Sequence, residues 1–321
     1  MAYSGIGGQA VIEGIMMRNQ NRYALAVRKP DGQIEISVEK IKGGQRFARI
    51  PVLRGMENFL SSLVLGIKSL MKSAEYFEDE DQDGTDAVSG SAEACLGTKE
   101  KRGEKRKEAA TLFGTLAFSL VIALALFLAL PYGLSRLFAR VISSPALLAL
   151  LEGAIRVAIF LVYLFLIGRT EDIHRTYMYH GAEHKCINCI ENGWELNLSN
   201  VRRASRRHKR CGTSFIFIVL IISIFVFMLI RVDQVFLQLL LRILLVPLIA
   251  GISYEFIRLA GRSDAFWLKI LSEPGLWIQG LTTEEPEDDM IEVGIASVEA
   301  VFDWKSWQQE ALGIVREHPD V

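Results

Sequence analysis

Hydrophobic positions crowd into two blocks, residues 111–168 and 214–260, set among stretches of ordinary mixed sequence. In the first block, Thr111 to Leu130 (TLFGTLAFSLVIALALFLAL) has no charge over about twenty residues, enough for a helix to cross a hydrocarbon core of roughly 30 Å. A span over 111–131 follows. A second, over 145–168, contains Glu152 and Arg156, whose i, i+4 spacing lets them pair on one helical face and lowers the cost of burying either. The third, 214–230, is uncharged and rich in Ile, Val and Phe. The fourth, 234–260, carries Arg242 near its start and Glu255 and Arg258 near its end, so tilting or snorkelling is expected to keep those heads polar.

Outside these blocks the periodicity changes. Arg22 to Lys29 and Gln33 to Lys40 read as strands joined at Lys29-Pro30-Asp31-Gly32, where proline fixes φ and glycine accepts a positive one, so a hairpin is predicted. From Ile50 to Glu78, the residues Leu53, Met56, Leu60, Leu63, Val64, Ile67, Leu70 and Met71 recur at helical spacing. That stripe can pack on the hairpin or lie in a membrane interface, and packing on the hairpin is the favoured expectation. Residues 79–103, with clustered Ser, Gly, Ala and charge, read as a disordered tether. After the last span, Arg262 to Pro274 reads as a short helix. The β-branched run from Ile291 to Val301 predicts a small α/β element with which the hairpin could pair.

Half of the 321 residues are hydrophobic, too many for an ordinary soluble chain of this size, which supports the membrane reading. The net charge of −1 conceals local separation: an acidic run over 75–86, a basic one over 99–107, and six basic residues around one histidine from Arg202 to Arg210. Basic residues before the first span (Lys101, Arg102, Lys105, Arg106, Lys107) and throughout the 169–213 loop place both on the cytoplasmic side; the short connections 131–144 and 231–233 suit the outside. The N-terminal MAYSGIGGQAVIEG lacks a basic region followed by an apolar core, so no cleavable leader is expected and both termini are placed in the cytoplasm. In that compartment the four cysteines are expected to be thiols rather than a disulfide framework. Cys95, alone in the tether, takes no role.

The segment Tyr179 to Glu191, YHGAEHKCINCIE, carries the most chemistry. His180 and His184 lie on one helical face, as two imidazole ligands of one metal require. With Glu183 they satisfy H-x-x-E-H, the inverted zinc-peptidase signature, in which the glutamate activates the attacking water; a surface helix bearing two histidines is the plainer alternative. The same loop ends in HKRCGTS, which brings His208 and Cys211 as further ligands if the segments converge, with Cys189 as another candidate. Four ligands would make a closed structural zinc and three would leave a position open. Cys186 and Cys189 have knuckle-like spacing, but no second C-x-x-C follows. His174 reads as an interfacial polar residue. The basic run 202–210 has no interleaved aromatics, so anionic phospholipid headgroups are its expected partner and nucleic acid is not. Gly5-Ile6-Gly7-Gly8 is read as a flexible start or a close backbone approach rather than a phosphate loop, and Glu284, Glu285, Asp288 and Asp289 as an acidic surface loop rather than a magnesium site.

Four blocks in order, GGQAVIEGIMMR (7–18), HGAEHK (180–185), RCGTSF (210–215) and PGLWIQGLTTEEPEDDMIEVGIAS (274–297), resemble the YqhQ-like family of bacterial membrane proteins (domain of unknown function 1385) over nearly the whole chain. The resemblance implies a metal-dependent enzyme and places His180, Glu183, His184, His208 and Cys211 within family motifs. Cys186 stands where relatives often carry threonine, and Glu284 where a basic residue is common, which argues against sites built on either. The sequence therefore leads to a mainly α, polytopic membrane protein with about four transmembrane helices and small cytoplasmic α/β elements from both termini. Its organisation is 1–78 hairpin and amphipathic helix, 79–110 linker, 111–261 membrane domain with motif loop 169–213, and 262–321 C-terminal element, in a plasma membrane. The expected function is a zinc-type hydrolase: His180 and His184 bind the metal, His208 or Cys211 completes the site, and Glu183 is the general base on a lipid-linked or membrane-protein substrate. The rival is a non-enzymatic, zinc-stabilised membrane scaffold or assembly factor. A transporter rests only on Glu152, Arg156, Arg242 and Glu255, for which helix pairing is the simpler account.

Overall fold

Glycine-bounded, apolar-rich segments at the N-terminus pair in sequence order into an antiparallel sheet: β1 (Gly7–Val11), β2 (Gly14–Asn19), β3 (Arg22–Arg28) and β4 (Ile34–Lys40). The structure, a computed structural model, describes residues 3–41, 47, 49–78, 111, 114–208, 211–230, 232, 234–260 and 266–314. Its helices are α1 (Leu53–Glu78), α2 (Gly114–Leu137), α3 (Pro145–Ile167), α4 (Glu171–Glu191), α5 (Leu198–Arg203), α6 (Gly212–Met228), α7 (Val235–Ala260), α8 (Phe266–Thr282), α9 (Asp288–Glu299) and α10 (Trp304–Leu312). The expected tether with Cys95 and the basic group 101–107 lies outside the described residues. So do Lys209 and Arg210, parts of the 231–233 connection, and the start of the 262–274 segment. The chain divides into two compact units, residues 1–79 with 163–222 and 245–321, and residues 80–162 with 223–244.

In the first unit the hairpin at Lys29–Gly32 forms, with Arg22 opposite Lys40 and Arg28 opposite Ile34. β3 reads Tyr-Ala-Leu-Ala-Val without polar alternation because both sheet faces are covered. On one face, Ile15, Met17 and Ala26 pack with Tyr179, Ala182, Ile187 and Ile190 of α4 and with Met290, Ile291, Val293 and Val298 of α9. On the other, Val11, Met16, Tyr23, Leu25 and Val27 pack with Leu65 of α1.

Two expectations are corrected here. The run 291–301 forms no strand: it lies largely in α9, whose buried residues Met290, Ile291, Val293, Gly294, Ser297 and Val298 follow helical spacing. It meets the sheet side-on, Ser297 Oγ donating to the Ile15 carbonyl (3.1 Å) and Asn19 Nδ2 to that of Val301 (2.9 Å). The apolar stripe of α1 is not the face packed on the sheet. Leu65, Ser69 and Ser73, four residues apart, are buried, whereas Leu60, Leu63, Val64, Ile67, Leu70 and Met71 are exposed. Lys68 and Lys72 reach to Glu39 of β4 at 2.8 Å each and hold the helix in this rotation. At its other end α1 meets α7, through an Arg54–Glu255 ion pair and Asn58 Nδ2 donating to the Tyr254 hydroxyl (3.0 Å).

Three helices are long and apolar enough to cross a membrane: Gly114–Leu137, Pro145–Ile167 and Val235–Leu259. The third sequence candidate is the shorter Gly212–Met228, of 17 residues. Within the second unit, Arg242 does not snorkel as expected. It is buried, and its Nη1 and Nη2 meet both oxygens of Glu152 at 2.5 and 2.8 Å. Glu152 Oε1 also takes Arg156 Nη2 at 2.5 Å, while Arg156 Nη1 donates to Ser223 Oγ at 3.0 Å. Pro131 has no N–H to offer the Phe127 carbonyl one turn earlier, and Arg156 Nε donates to that oxygen at 2.9 Å.

Candidate metal site

The four-residue spacing on α4 brings the His180 and His184 rings to a centroid separation of 4.4 Å. Each ring is oriented by a backbone carbonyl. His180 Nδ1 lies 2.8 Å from the Thr282 carbonyl at the end of α8, and His184 Nδ1 lies 2.6 Å from that of Arg206. A carbonyl only accepts, so both Nδ1 atoms carry a proton and Nε2 is the nitrogen of each ring left to the cluster. Cys211, just before α6, supplies the third donor, with Sγ 3.2 Å from His180 Nε2. One ligand atom from each of His180, His184 and Cys211 falls within 4.8 Å of the others; among the described residues no further His, Cys, Asp or Glu joins this group.

The carbonyl acceptors are themselves held. Asn188, one turn beyond His184, donates to the carbonyls of Ser205 (2.7 Å) and Arg207 (2.9 Å), which leaves the intervening Arg206 carbonyl facing His184. Gln279 accepts from the His208 N–H and donates to the His208 carbonyl and Ser214 Oγ, all at 2.8 Å, bracketing Cys211. Gly181 lets the segment after α8 approach: a Cβ there would sit 2.0 Å from the Glu284 carbonyl oxygen, two residues beyond the Thr282 acceptor. Asn188, Gln279 and these carbonyls carried no signal in the sequence, because every residue has a carbonyl and single amides are common. Gly181, inside a helix, was the one visible sign.

The other candidates fall elsewhere. Glu183 is buried beside the cluster and Oε1 accepts from the Gly8 N–H at 3.0 Å; the glycine segment is thus a close backbone approach. His208 is not in the three-residue group, and its Nε2 faces Glu191 Oε2 at 3.5 Å. Glu191 Oε1 in turn takes Ser4 Oγ at 2.7 Å. Cys189 lies in the core, its Sγ donating to the Glu195 carbonyl at 3.3 Å, and is not brought to the cluster. Cys186 is another buried core thiol, pushed up by burial. The basic run is partly matched internally: Arg202 pairs with Asp288 and Arg206 with Glu284 (3.0 Å). Lys185 of α4 meets Glu285 at 2.8 Å. Glu284, Glu285 and Asp288 are thereby engaged with cations of the chain, and Asp289 lies 3.8 Å from Arg28 Nε.

Electrostatically the cluster favours separated charge. Burial alone would raise the Cys211 thiol, but the His180 and His184 rings beside it bring it well below its ordinary value. Burial likewise lowers His180, yet the facing Cys211 sulfur outweighs it and raises the imidazole to about 9. Without a metal, His180 thus holds on Nε2 the proton that Cys211 gives up; a metal displacing that proton would meet a thiolate and two imidazole nitrogens, a donor set suited to zinc, and three protein ligands would leave a coordination position for water or substrate. The cluster opens on a cavity of about 480 Å³ that Glu183 also lines.

Comparisons with known proteins agree on membership and add no activity. The family model described as protein of unknown function (DUF1385) matches residues 50–304. "Uncharacterized protein YqhQ" of Bacillus subtilis (strain 168) is 34% identical over 298 residues, covering 91% of this chain and 90% of the relative. No solved structure matches.

Proposed function

The chain belongs to the DUF1385 family, whose description names no activity, and from its own site we propose that it is a membrane-embedded, zinc-type metal-dependent hydrolase working at the cytoplasmic surface of the plasma membrane. The observation that carries this reading is the tautomer lock. Both histidines spend Nδ1–H on fixed carbonyls, the arrangement that orients metal-binding imidazoles, and the nitrogens left over share one locus with an acidified thiol. His180, His184 and Cys211 hold the metal, which supplies Lewis acidity. Glu183 is the general base. Its Oε1 is fixed by the Gly8 N–H, so Oε2 remains to take the proton of the attacking water within the cavity. Gly212–Met228 serves as a fourth span, so that α4 and the basic loop lie between two spans on the cytoplasmic side with both termini.

One contact favours a second reading. The 3.2 Å approach of His180 Nε2 to Cys211 Sγ, with Nδ1–H anchored on Thr282, has the layout of a cysteine nucleophile and its histidine. That dyad leaves His184, anchored in the same way and with a ligand atom within 4.8 Å of the others, without a task, so the three-ligand reading accounts for more of the site.

Elemental analysis of protein purified without chelators tests the choice. About one zinc per chain, lost in the His180→Ala, His184→Ala double variant, is expected. Absence of stoichiometric metal together with rapid carbamidomethylation of Cys211 by iodoacetamide, iodide leaving, would overturn the metal reading in favour of the dyad. A Glu183→Gln variant that keeps its metal separates enzyme from zinc-stabilised scaffold: hydrolysis disappears in the first case, and nothing changes in the second.

A further inference from the structure

The register of β2 puts a cation where its alternation calls for an apolar residue. Ile15 and Met17 face the core shared with α4 and α9, and Met16 faces the one shared with α1. Arg18, two residues on from Met16, falls on that same α1 face and lines the cavity that His180, Glu183, His184 and Cys211 also line. Arg54, Arg175, Arg202 and Arg206 of the same unit each meet a carboxylate, on Glu255, Glu13, Asp288 and Glu284. Among the described residues Arg18 pairs with none, Glu183 of its own cavity included. Its one described hydrogen bond is a long one, Nε to the Gln20 carbonyl at 3.3 Å, so Nη1 and Nη2 have no described partner. The side chain is half-buried, and loss of solvent lowers its pKa. A partly desolvated guanidinium without an anion is costly, and its planar fork matches two oxygens of a phosphate or carboxylate.

The lining around this fork is open and rich in donors. Gly7 of β1 stands opposite Arg18 in the strand register, and a Cβ there would meet nothing within 4 Å, so the position that would otherwise crowd the guanidinium is empty space. Tyr254 of α7 is near enough to interact with the Arg18 charge; its hydroxyl accepts from Asn58 Nδ2 at 3.0 Å and keeps its own proton to donate. Ser62, one turn after Asn58 on α1, adds a second hydroxyl to the same cavity. β2, α1 and α7 thus contribute a cation and two hydroxyls to the lining and no carboxylate, whereas α4 brings the histidines and Glu183. About 480 Å³ exceeds what a bare oxyanion needs and lies in the range of small-ligand pockets, so a molecule anchored at Arg18 has room to extend.

We propose that Arg18 forms an oxyanion subsite in this cavity, its guanidinium pairing with the phosphate or carboxylate group of a small molecule and the Tyr254 and Ser62 hydroxyls donating to the same group. Arg18 then selects for the anionic end of the ligand and leaves the remainder of the molecule to the rest of the cavity. That this molecule is also the substrate rests on the hydrolase reading above, with the oxyanion as the end that does not react; that it binds does not rest on it.

The test is the melting temperature of the full-length protein in a non-ionic detergent as a probe is titrated in, with zinc content measured on every sample. The probes form two pairs that differ in the anion: glycerol 3-phosphate against glycerol, and N-acetylglycine against N-acetylglycinamide. At least one anion is expected to raise the melting temperature saturably while its neutral partner does not, and which of the two does so assigns the subsite to phosphate or to carboxylate. Arg18→Gln should weaken that binding at least about tenfold, the loss of a charge-assisted pair, and Arg18→Lys should recover part of it. Should Arg18→Gln fail to fold, Gly7→Phe, whose side chain enters space that the structure leaves open beside Arg18, is expected to exclude the anion equally. No shift with either anion, an equal shift with its neutral partner, or unchanged binding in the folded variants overturns the proposal. Zinc-free protein with Arg18-dependent binding intact would sink the hydrolase and leave the subsite standing; stoichiometric zinc without anion binding would do the reverse.

Discussion

Asn188 shows how far a single amide acts from the atoms it touches. It bonds neither His184 nor the sulfur, but it fixes the carbonyls on both sides of the Arg206 acceptor. An Asn188→Ala change should therefore leave α4 helical while freeing that acceptor. The expected outcome is zinc affinity weakened by about 10–100-fold, read by competition with a chromogenic chelator, with the histidines themselves intact. Gly181 makes the complementary case, where an added atom does the damage. Its missing Cβ is the space occupied by the Glu284 carbonyl, and that carbonyl is backbone, pinned by the Glu284 N–H donating to Tyr177 at 2.9 Å. Gly181→Ala should cost about 1–3 kcal/mol of stability by overpacking and displace the Thr282 acceptor from His180, so a lowered melting temperature and lowered zinc content should appear together.

Among elements, α1 is the one whose rotation had to be decided by something other than hydrophobicity. Two stripes compete on its surface: a large apolar one, and a small-residue one through Leu65, Ser69 and Ser73. The smaller packs on the sheet because Lys68 and Lys72 both converge on Glu39, to which Tyr23 also donates at 2.7 Å. Those donors, Lys68 first, hold the Glu39 carboxyl down at about 2 against an ordinary 4.5. Because the folded value lies below the unfolded one, the contribution is complete above about pH 4.5 and fades as pH falls toward 2. The pairs are largely solvent-exposed, so Glu39→Gln is expected to cost only about 0.5–1 kcal/mol at neutral pH. The wild-type and variant melting temperatures should draw together as pH falls from about 4.5 and meet only at about pH 2 or below, and a gap that persisted there would assign the effect to packing instead. Elements carried by a strong period were legible: the hairpin, the long apolar helices and the face shared by His180 and His184. β1 and β2 were not, since Gly7, Gly8 and Gly14 dilute their alternation, and the β-branched run at 291–301 suggested an α/β element while its buried positions kept helical spacing. The convergence of Cys211 with His180, 31 residues away, depends on Gln279 and the α6 start, which no local pattern reports.

At the scale of the molecule, charge is distributed by burial. The net charge is −1, and in the first unit most surface runs cancel locally, as Arg202 and Arg206 do with Asp288 and Glu284. The second unit keeps a buried excess instead, with two guanidiniums on one carboxylate. Arg156 and Arg242 share Glu152, Arg242 Nε is left without a partner among the described atoms, and the Phe227 ring lies about 5 Å from both guanidinium carbons, at 4.9 and 5.1 Å. Such a cluster tolerates little: Glu152 is the sole carboxylate among the described residues of this unit, so no other described anion there stands ready to replace it. Removing one partner of a buried pair strands the remaining charge, at a cost of about 3–5 kcal/mol, whereas the pair itself adds much less than that over an apolar contact. Glu152→Gln strands two. It should therefore lower the melting temperature in detergent far more than Arg242→Gln, which removes the excess cation and leaves Glu152 paired to Arg156. A transport role predicts the opposite ordering of interest, in which Glu152→Gln leaves stability intact and abolishes only ion movement in proteoliposomes. The melting comparison of the two variants thus decides between helix pairing and transport, and the geometry of one carboxylate bridging two arginines favours pairing.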